Sequence, residues 1–194
     1  GNVCNAAPSA DTASPLIVHD ASVRIADSQA SRLVSLESFF TGPGETVLQL
    51  GEMVEELRIP IPPDPEEIPE VSRAARASAY ERFIPRNEMD IAVAGVASYV
   101  ELDPETNVIR RARIALTSVA PTPIRATDAE QILIGRPATE SVFDEAASAA
   151  AASAKPITDV RGTKEFRTNL VRILTGRTLA TCMKRIDAAK LVQR

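Results

Sequence analysis

The chain contains few of the side chains that bind transition metals. Among its 194 residues are two cysteines, Cys4 and Cys182, and a single histidine, His19. A zinc or iron–sulfur site needs about four ligands of these types. We therefore predict no metal site. The two cysteines are far apart in sequence and form no CxxC pair, which favours free thiols, with a single disulfide as the alternative.

Long hydrophobic runs are also lacking. No apolar stretch approaches the roughly 20 residues of a membrane helix, and no basic segment followed by an apolar one begins the chain. The apolar content of 44% is ordinary for a folded globular protein. We expect a protein without a membrane span, located in the cytoplasm. The net charge of −4 argues against a nucleic-acid partner.

The charge is unevenly distributed along the chain. Residues 161–194 hold nine basic and two acidic residues, whereas residues 1–160 hold 13 basic and 24 acidic ones. Two interpretations stay open. The basic C-terminal segment either complements the acidic body internally or forms a docking face for another subunit.

Catalytic motifs are absent. The sequence has no nucleophile elbow, no phosphate-loop consensus and no His–carboxylate pair at a useful spacing. His19 is either a general base or, as we favour, a half-buried or surface histidine without a catalytic partner. We predict no catalytic residues within this chain.

The first half of the chain is expected to be rich in short strands. Pro15 suits the first turn of a short helix within residues 12–20. Alternating residues predict a hairpin of 22–26 and 31–36 and a turn at 41–44. The segments 45–48 and 51–54 follow and end in an edge-type strand at 56–60 that is closed by proline. Prolines and acids then dominate residues 61–69, which cannot join a sheet interior. We predict domains at 1–60 and 73–194, joined by an acidic linker at 61–72.

The second half predicts strands followed by helices. Strands at 76–84, 89–102 and 108–119 have short connections, which indicates an antiparallel meander. Thr127 and Glu130 have the spacing of a capping box for a short helix that stops at Gly135. A second helix runs to Ala154, and the last begins at Thr163, with Gly176 marking a kink or close packing. The fold class is α+β, with a three-stranded antiparallel sheet packed on a three-helix bundle.

The first eleven residues, GNVCNAAPSAD, are small, polar and irregular. Such a stretch lets the backbone approach a ligand closely and offer N–H groups to an anion. It therefore has the chemistry of a cofactor loop. A frayed N-terminus is the alternative.

Several short motifs resemble one family. Gly1-Asn2, Asn5-Ala6, Pro8 and Asp11 are similar to a flavin-contacting segment in the FAD-binding (medium) subunit of the molybdenum hydroxylases, which include xanthine and carbon monoxide dehydrogenases. Ala7 stands where that family usually has serine. Further similar motifs are Phe39-Phe40 with Gly42-Pro43-Gly44, Gly51-Glu52, Ala79-Tyr80-Glu81-Arg82, Asp90–Ala97, Asp159–Thr163 and Phe166-Arg167.

The resemblance implies a fold and a set of partners. The chain would be a C-terminal fragment: the second part of a two-subdomain (PCMH-like) FAD-binding fold, followed by the family's C-terminal domain. The upstream half of the same subunit would supply the pyrophosphate loop. The other partners would be a large subunit with the molybdenum cofactor and a small subunit with [2Fe–2S] clusters, whose electrons pass through FAD to an external acceptor.

The resemblance also implies cofactor-binding residues. Gly1 and Asn2 would contact the FAD phosphates and ribityl chain, and Asp11 would bind ribityl or adenine-side hydroxyls. Met53 and Val54 would wall the flavin ring.

Arg82 would lie near the edge of that ring, at a place where the family often has lysine. Arginine keeps the positive charge but differs in reach, because its guanidinium is a planar fork. A surface salt bridge is the alternative role for Arg82.

Two other functions remain open. The chain could be a docking or scaffold module that does not bind FAD by itself, contacting a partner through its basic C-terminal helix. It could also belong to another branch of the same flavin-binding superfold, such as a cell-wall enolpyruvyl reductase. The predicted three strands and three helices argue against that branch.

Overall fold

A computed structural model describes residues 1–61, 75–86, 90–103 and 105–192. The linker predicted at 61–72 lies outside these residues, apart from Ile61. No helix in this part of the chain is both long and apolar enough to cross a membrane.

The N-terminal part, residues 1–61, contains a small antiparallel sheet in the order β2-β1-β5 and a two-stranded hairpin, β3-β4. The predicted hairpin of 22–26 and 31–36 is confirmed. Asp27 closes its turn, because its Oδ1 accepts hydrogen bonds from the backbone N–H groups of Gln29 and Ala30 at 2.7 and 2.8 Å. The elements are α1 (Ala13–Val18), β1 (Ser22–Ala26), β2 (Ser31–Ser35), a 3-10 turn (Leu36–Ser38), β3 (Phe40–Gly42), β4 (Glu45–Thr46) and β5 (Met53–Arg58).

The edge strand at the end of this part differs from the prediction in its bounds. The sequence places it at 56–60, after the segments 45–48 and 51–54, whereas β5 covers 53–58. Its pairing with β1 shifts between Arg24↔Glu56 and Ile25↔Val54. Glu55 is therefore an extra residue, and the resulting bulge breaks the alternation that the sequence shows.

The C-terminal part confirms the α+β class and the antiparallel meander. Its large sheet has the order β6-β7-β8-β9, and three helices follow. Two details differ from expectation: β7 begins at residue 94 rather than 89, and a two-residue fourth strand pairs with β8. The elements are β6 (Ala75–Phe83), β7 (Ala94–Leu102), β8 (Ile109–Thr117), β9 (Ile124–Arg125), α2 (Thr127–Leu133), α3 (Glu140–Ser153) and α4 (Lys164–Val192).

Both faces of the large sheet are covered. Side chains alternate between faces along a strand. Val96 and Val100 of β7 belong to the core shared with the helices, whereas Ala97 and Tyr99 pack with the N-terminal part. The sheet therefore joins the two halves of the chain through opposite faces.

The expected capping box at Thr127 and Glu130 is wrong. The residue before α2 is Ala126, and no side chain caps the helix. Glu130 is buried and points to the sheet, where it accepts the Ile114 N–H at 2.9 Å and pairs with Arg125. A buried carboxylate needs such partners, and these come from elements that the local spacing does not reveal.

The start of α4 is as predicted, but its interior is not. Thr163 caps the helix, because its Oγ1 accepts the Phe166 N–H at 3.2 Å. The helix continues through Gly176, where a Cβ would meet no atom within 4 Å. Close packing therefore does not explain this glycine.

Arg167 of α4 joins three segments. The residue is only 4% exposed. Its Nη1 donates to the carbonyl oxygens of Val93 at 2.7 Å and Ser118 at 3.0 Å, and its Nη2 donates to Asp159 Oδ1 at 2.7 Å. The hydrogen bond from Arg167 holds the pKa of Asp159 below its usual value. One guanidinium group thus donates hydrogen bonds to the residue before β7, to the residue after β8 and to the turn before α4.

We expect Arg167→Met to destabilise the protein by about 2–4 kcal/mol, because two buried carbonyl groups and one carboxylate lose a charged donor. Urea denaturation measures the free energy of unfolding. Arg172→Met, on the exposed side of the same helix, is the control and should change it by less than about 0.5 kcal/mol. Equal effects of the two substitutions would contradict the role assigned to Arg167.

Candidate cofactor site

The N-terminal loop, residues 1–12, is a packed series of turns. The N–H groups of Asn5, Ala6 and Ala10 donate to the carbonyls of Gly1, Val3 and Ala7 at 2.9–3.0 Å. The side chains of Val3, Ala6 and Ala10 are buried in the core of the N-terminal part. This packing favours an ordered loop over a frayed terminus.

The loop has the donors that an anion requires. Ala6 has a positive φ of 47°, and its carbonyl accepts the Gly44 N–H at 3.0 Å. The backbone N–H groups of Cys4 and Ala7 make no hydrogen bond within the described part of the chain. Backbone N–H groups in consecutive turns form concave anion sites. Small side chains and available N–H groups therefore fit a phosphate-bearing cofactor.

Asp11 connects this loop to the large sheet. Its Oδ1 accepts a hydrogen bond from the Tyr80 hydroxyl at 2.8 Å, and its Oδ2 pairs with the Arg82 guanidinium. Burial raises the pKa of Tyr80 above its usual value, and the hydrogen bond to Asp11 raises it further. Tyr80 therefore stays a neutral donor at neutral pH. We call these three residues the Asp11 cluster.

A glycine makes room for this cluster. Gly95 of β7 lies between Arg82 of β6 and Thr117 of β8 in the sheet register. A Cβ at Gly95 would come within 2.5 Å of Thr117 Oγ1 and 3.2 Å of the Tyr80 hydroxyl. Only a residue without a side chain lets the Tyr80 ring lie this close to the sheet.

The structure brings some of the expected cofactor residues together. Asp11 and Arg82 are in contact. Asn2 lies in the same loop as Asp11, and its Oδ1 accepts the Thr12 hydroxyl at 2.5 Å. Gly1 is exposed at the start of the loop.

Met53 and Val54 lie on a different element, β5, where they pair with Ala26 and Ile25 of β1. The Met53 side chain is 67% exposed, and Val54 packs against the N-terminal core. These two residues are thus placed by the small sheet rather than by the loop.

Sequence reasoning did not identify Tyr80, Gly95 and Thr117 as site residues. A usable signal existed for Tyr80, because residues two apart on a strand share a face and Tyr80 precedes Arg82 by two. No local pattern connects Gly95 or Thr117 with Asp11.

His19 does not belong to the Asp11 cluster and contacts the middle of the large sheet, where Ser78 of β6 pairs with Tyr99 of β7. It is half-buried, its Nε2 lies 3.0 Å from Ser78 Oγ, and its ring packs edge-on against Tyr99. Burial lowers the pKa of His19 below its usual value of 6.5.

Cys4 is an exposed free thiol and Cys182 a buried one. In the part of the chain that the structure describes, no group of three or more His, Cys, Asp or Glu could hold a metal ion.

Two family models match the chain. Residues 1–62 match the FAD binding domain in molybdopterin dehydrogenase, and residues 78–182 match the CO dehydrogenase flavoprotein C-terminal domain. The chain belongs to the family of FAD-binding subunits of the molybdenum hydroxylases. The resemblance of its motifs to that family is therefore confirmed.

Curated members of the family are similar along most of the chain. The putative xanthine dehydrogenase FAD-binding subunit of Escherichia coli is 31% identical over 93% of this chain and 58% of its own length. The carbon monoxide dehydrogenase medium chain of Afipia carboxidovorans is 28% identical over 91% of this chain and 57% of its own. The chain thus spans less than two thirds of the length of these relatives, both named as subunits of oxidoreductases.

Solved structures agree with the fold. Carbon monoxide dehydrogenase from Hydrogenophaga pseudoflava gives a TM-score of 0.85 at 29% identity, over 95% of this chain and 60% of that one. Quinoline 2-oxidoreductase from Pseudomonas putida 86 gives a TM-score of 0.81 at 26% identity, over 97% and 60%. The expected α+β flavoprotein fold is confirmed.

Gly95→Ala should destabilise the protein by about 1–3 kcal/mol, because the new methyl group collides with Thr117 and crowds Tyr80. Adding Thr117→Ala removes the closest contact, so the double variant should lose less stability than the two single losses combined. Gly176→Ala is the control, since its Cβ meets open space, and it should be neutral or slightly stabilising. Strict additivity in thermal or urea unfolding would contradict the steric account.

His19 should make stability depend on pH. Its folded-state pKa is depressed, so the unfolded chain binds a proton more readily and stability falls as the pH drops through about 6.5. Replacing it by a non-titrating side chain, His19→Gln, should reduce the loss of unfolding free energy between about pH 7.5 and about pH 5.5. If the unmodified protein and His19→Gln show the same pH dependence of unfolding free energy, the pKa of His19 is the same in the folded and the unfolded chain.

Proposed function

We propose that this chain forms part of an FAD-binding subunit of a molybdenum-containing hydroxylase or dehydrogenase. In this role the subunit accepts electrons from [2Fe–2S] clusters of a partner subunit and passes them through FAD to an external acceptor. The observation that carries the proposal is the Asp11 cluster, where a cofactor-type loop meets the large sheet through a carboxylate, a phenol and a guanidinium. The family match supports the same assignment.

The loop would hold the phosphate side of FAD. The N–H groups of Cys4 and Ala7 are among the loop donors that would reach phosphate oxygens, and Gly1 leaves the backbone open to close approach. Asn2 contributes an amide in the same loop. These contacts are the phosphate and ribityl contacts that the motif resemblance implies.

The Asp11 cluster would serve the flavin side. FAD supplies the electron-transfer chemistry, and this chain supplies position and electrostatics. Arg82 provides positive charge that favours electron density on a nearby ring, and Asp11 fixes the direction of its guanidinium. Asp11 also retains unused lone pairs for a ribityl or adenine-side hydroxyl, because each oxygen accepts one bond from the cluster. Met53 and Val54 would wall the ring from β5.

The proposed assembly includes three partners. The upstream half of the same subunit would complete the FAD site. A large subunit would carry the molybdenum cofactor, and a small subunit would carry the [2Fe–2S] clusters. Within this chain, the domain boundary is proposed at residues 61–72, and the assembly is proposed to be cytoplasmic.

A docking or scaffold module without FAD remains the second candidate. Its basis is the basic helix α4, but two of its cations face the chain itself. Arg177 pairs with Glu81 at 3.2 Å, and Arg185 donates to the Ser78 carbonyl. The internal partners favour electrostatic matching within the fold over a dedicated docking face.

The deciding experiment is a visible absorption spectrum of the chain with added FAD, recorded before and after mixing with the upstream half of the subunit. We expect a perturbed flavin spectrum only in the mixture, because the upstream half supplies the remaining phosphate contacts. The absence of flavin binding in both samples would favour the scaffold module.

A substitution then tests the site itself. In the completed subunit, Asp11→Asn should raise the Kd for FAD about tenfold, because it removes one charge-assisted pair that orders the site. Asp128→Asn, an exposed acid on α2, is the matched control and should leave the Kd unchanged. Equal FAD affinity in all three proteins would remove Asp11 from the proposed site.

A further inference from the structure

A cavity lies over the same face of the large sheet as the Asp11 cluster, from the middle of β6 toward its first residues. Its volume is 930 Å³, and it separates the end of α1 and the chain after β5 from strands β6, β7 and β8. The register places Arg82, Gly95 and Thr117 side by side at one end of the sheet, and Arg76, Glu101 and Arg111 at the other. On β6 the cavity lining runs from Arg76 to Ser78, so it ends two residues, or about 7 Å, before Tyr80. The cavity therefore adjoins the Asp11 cluster but is lined by none of its residues.

A β-bulge directs two consecutive arginines into this cavity. The pairing of β7 with β8 shifts between Glu101↔Arg111 and Leu102↔Ile109, so Arg110 is an extra residue in β8. In a regular strand, neighbouring side chains point to opposite faces. Here Arg110 and Arg111 both line the cavity. Bulges often re-aim a side chain toward a functional site.

Carboxylates fix these arginines but leave donors available. Arg111 Nη2 donates to Asp20 Oδ2 at 2.5 Å. Arg110 donates to Asp103 Oδ2 through Nε at 3.0 Å and Nη2 at 2.5 Å. Within the described part of the chain, the Nη1 groups of both arginines make no hydrogen bond. Arg76 of β6 adds a third guanidinium to the lining.

Asp20 is held in a strained conformation at this place. It follows α1 with a φ of 57°, in the position where a helix usually ends with glycine. Its carboxylate binds both Arg111 and Arg113. A residue in this backbone region persists where its surroundings enforce it, and such strain concentrates at functional sites. The arginine contacts explain why aspartate rather than glycine stands here.

The rest of the lining is mostly apolar or aromatic, with Ser78 and Glu101 as further polar members. Ile59 and Pro60 follow β5 and line one side of the cavity. His19 and Tyr99 also line it and pack edge-on with ring centroids 5.6 Å apart. Tyr99 donates its hydroxyl to Glu101 at 3.1 Å, which satisfies one of the acids in the cavity. The cavity thus combines guanidinium donors with a surface suited to an apolar body.

We propose that this cavity binds a small organic anion with an aromatic or apolar body, such as an aromatic carboxylate. Planar guanidinium groups match carboxylate geometry, and the aromatic and apolar walls would hold the remainder of the molecule. The cavity volume lies in the range of small-molecule sites. The site does not depend on the proposed FAD function, because it uses none of the Asp11 cluster.

Isothermal titration of the intact 194-residue chain with 2-naphthoate tests the proposal. We expect one binding site, and at least tenfold weaker binding of 2-naphthalenemethanol, which has the same rings without the charge. Arg110→Gln and Arg76→Gln should each raise the Kd for 2-naphthoate about tenfold. Arg136→Gln removes a comparable surface pair, with Glu145 at 2.7 Å, outside the cavity and should change nothing.

Three results would overturn the proposal. These are no detectable binding of 2-naphthoate up to millimolar concentration, equal affinity for the uncharged alcohol, and an unchanged Kd in both cavity variants. Circular dichroism of each variant shows whether it is folded. Asp11→Asn should leave 2-naphthoate binding intact, which separates this result from a failure of the FAD assignment.

Discussion

The fold depends on one constraint: the large sheet must be buried on both faces. Its helix-facing residues, such as Val96, Val100 and Ile114, are fully buried, and so are Ala97 and Ala115 on the other face. An antiparallel sheet often leaves one face to water. Here small residues on the second face let the N-terminal part approach closely. The interface between the two halves of the chain is therefore a continuation of the core, and both candidate sites lie along it.

This arrangement explains why polar residues of β6 contribute both to the Asp11 cluster and to the cavity. Arg76, Ser78, Tyr80 and Arg82 occupy alternate positions and so share the face toward the N-terminal part. Tyr80 and Arg82 meet Asp11, whereas Ser78 meets His19 and Arg76 lines the cavity. Ala97 and Ala115 lie beside Tyr80 in the sheet register and pack against the N-terminal part. One strand thus carries contacts of the proposed cofactor loop through Tyr80 and Arg82, and lines the cavity with Arg76 and Ser78.

The sequence predicted what local chemistry determines. Asp27 closes the first hairpin and Thr163 caps α4, and each contact spans at most three residues. The predictions that are wrong or incomplete concern residues whose contact partners are distant in sequence. Glu130 has capping-box spacing, but Ile114 and Arg125 bind its carboxylate, and Asp11 meets Tyr80 across 69 positions. The bulges at Glu55 and Arg110 arise from pairing between strands, so no periodicity within one strand reveals them. The expected cofactor residues came from the family resemblance, because the pattern of residues alone did not indicate them.

Arg82 stands where the family often has lysine, and the structure shows how this arginine is held. A lysine at this place would present a compact, mobile charge. Arginine presents a planar fork, and Asp11 holds it from one side while Tyr80 occupies the other carboxylate oxygen. The positive charge near the proposed flavin is therefore fixed in direction and partly compensated. Because Asp11 belongs to the loop and Arg82 to the sheet, the same ion pair that sets this charge also joins the two elements from which the site is built.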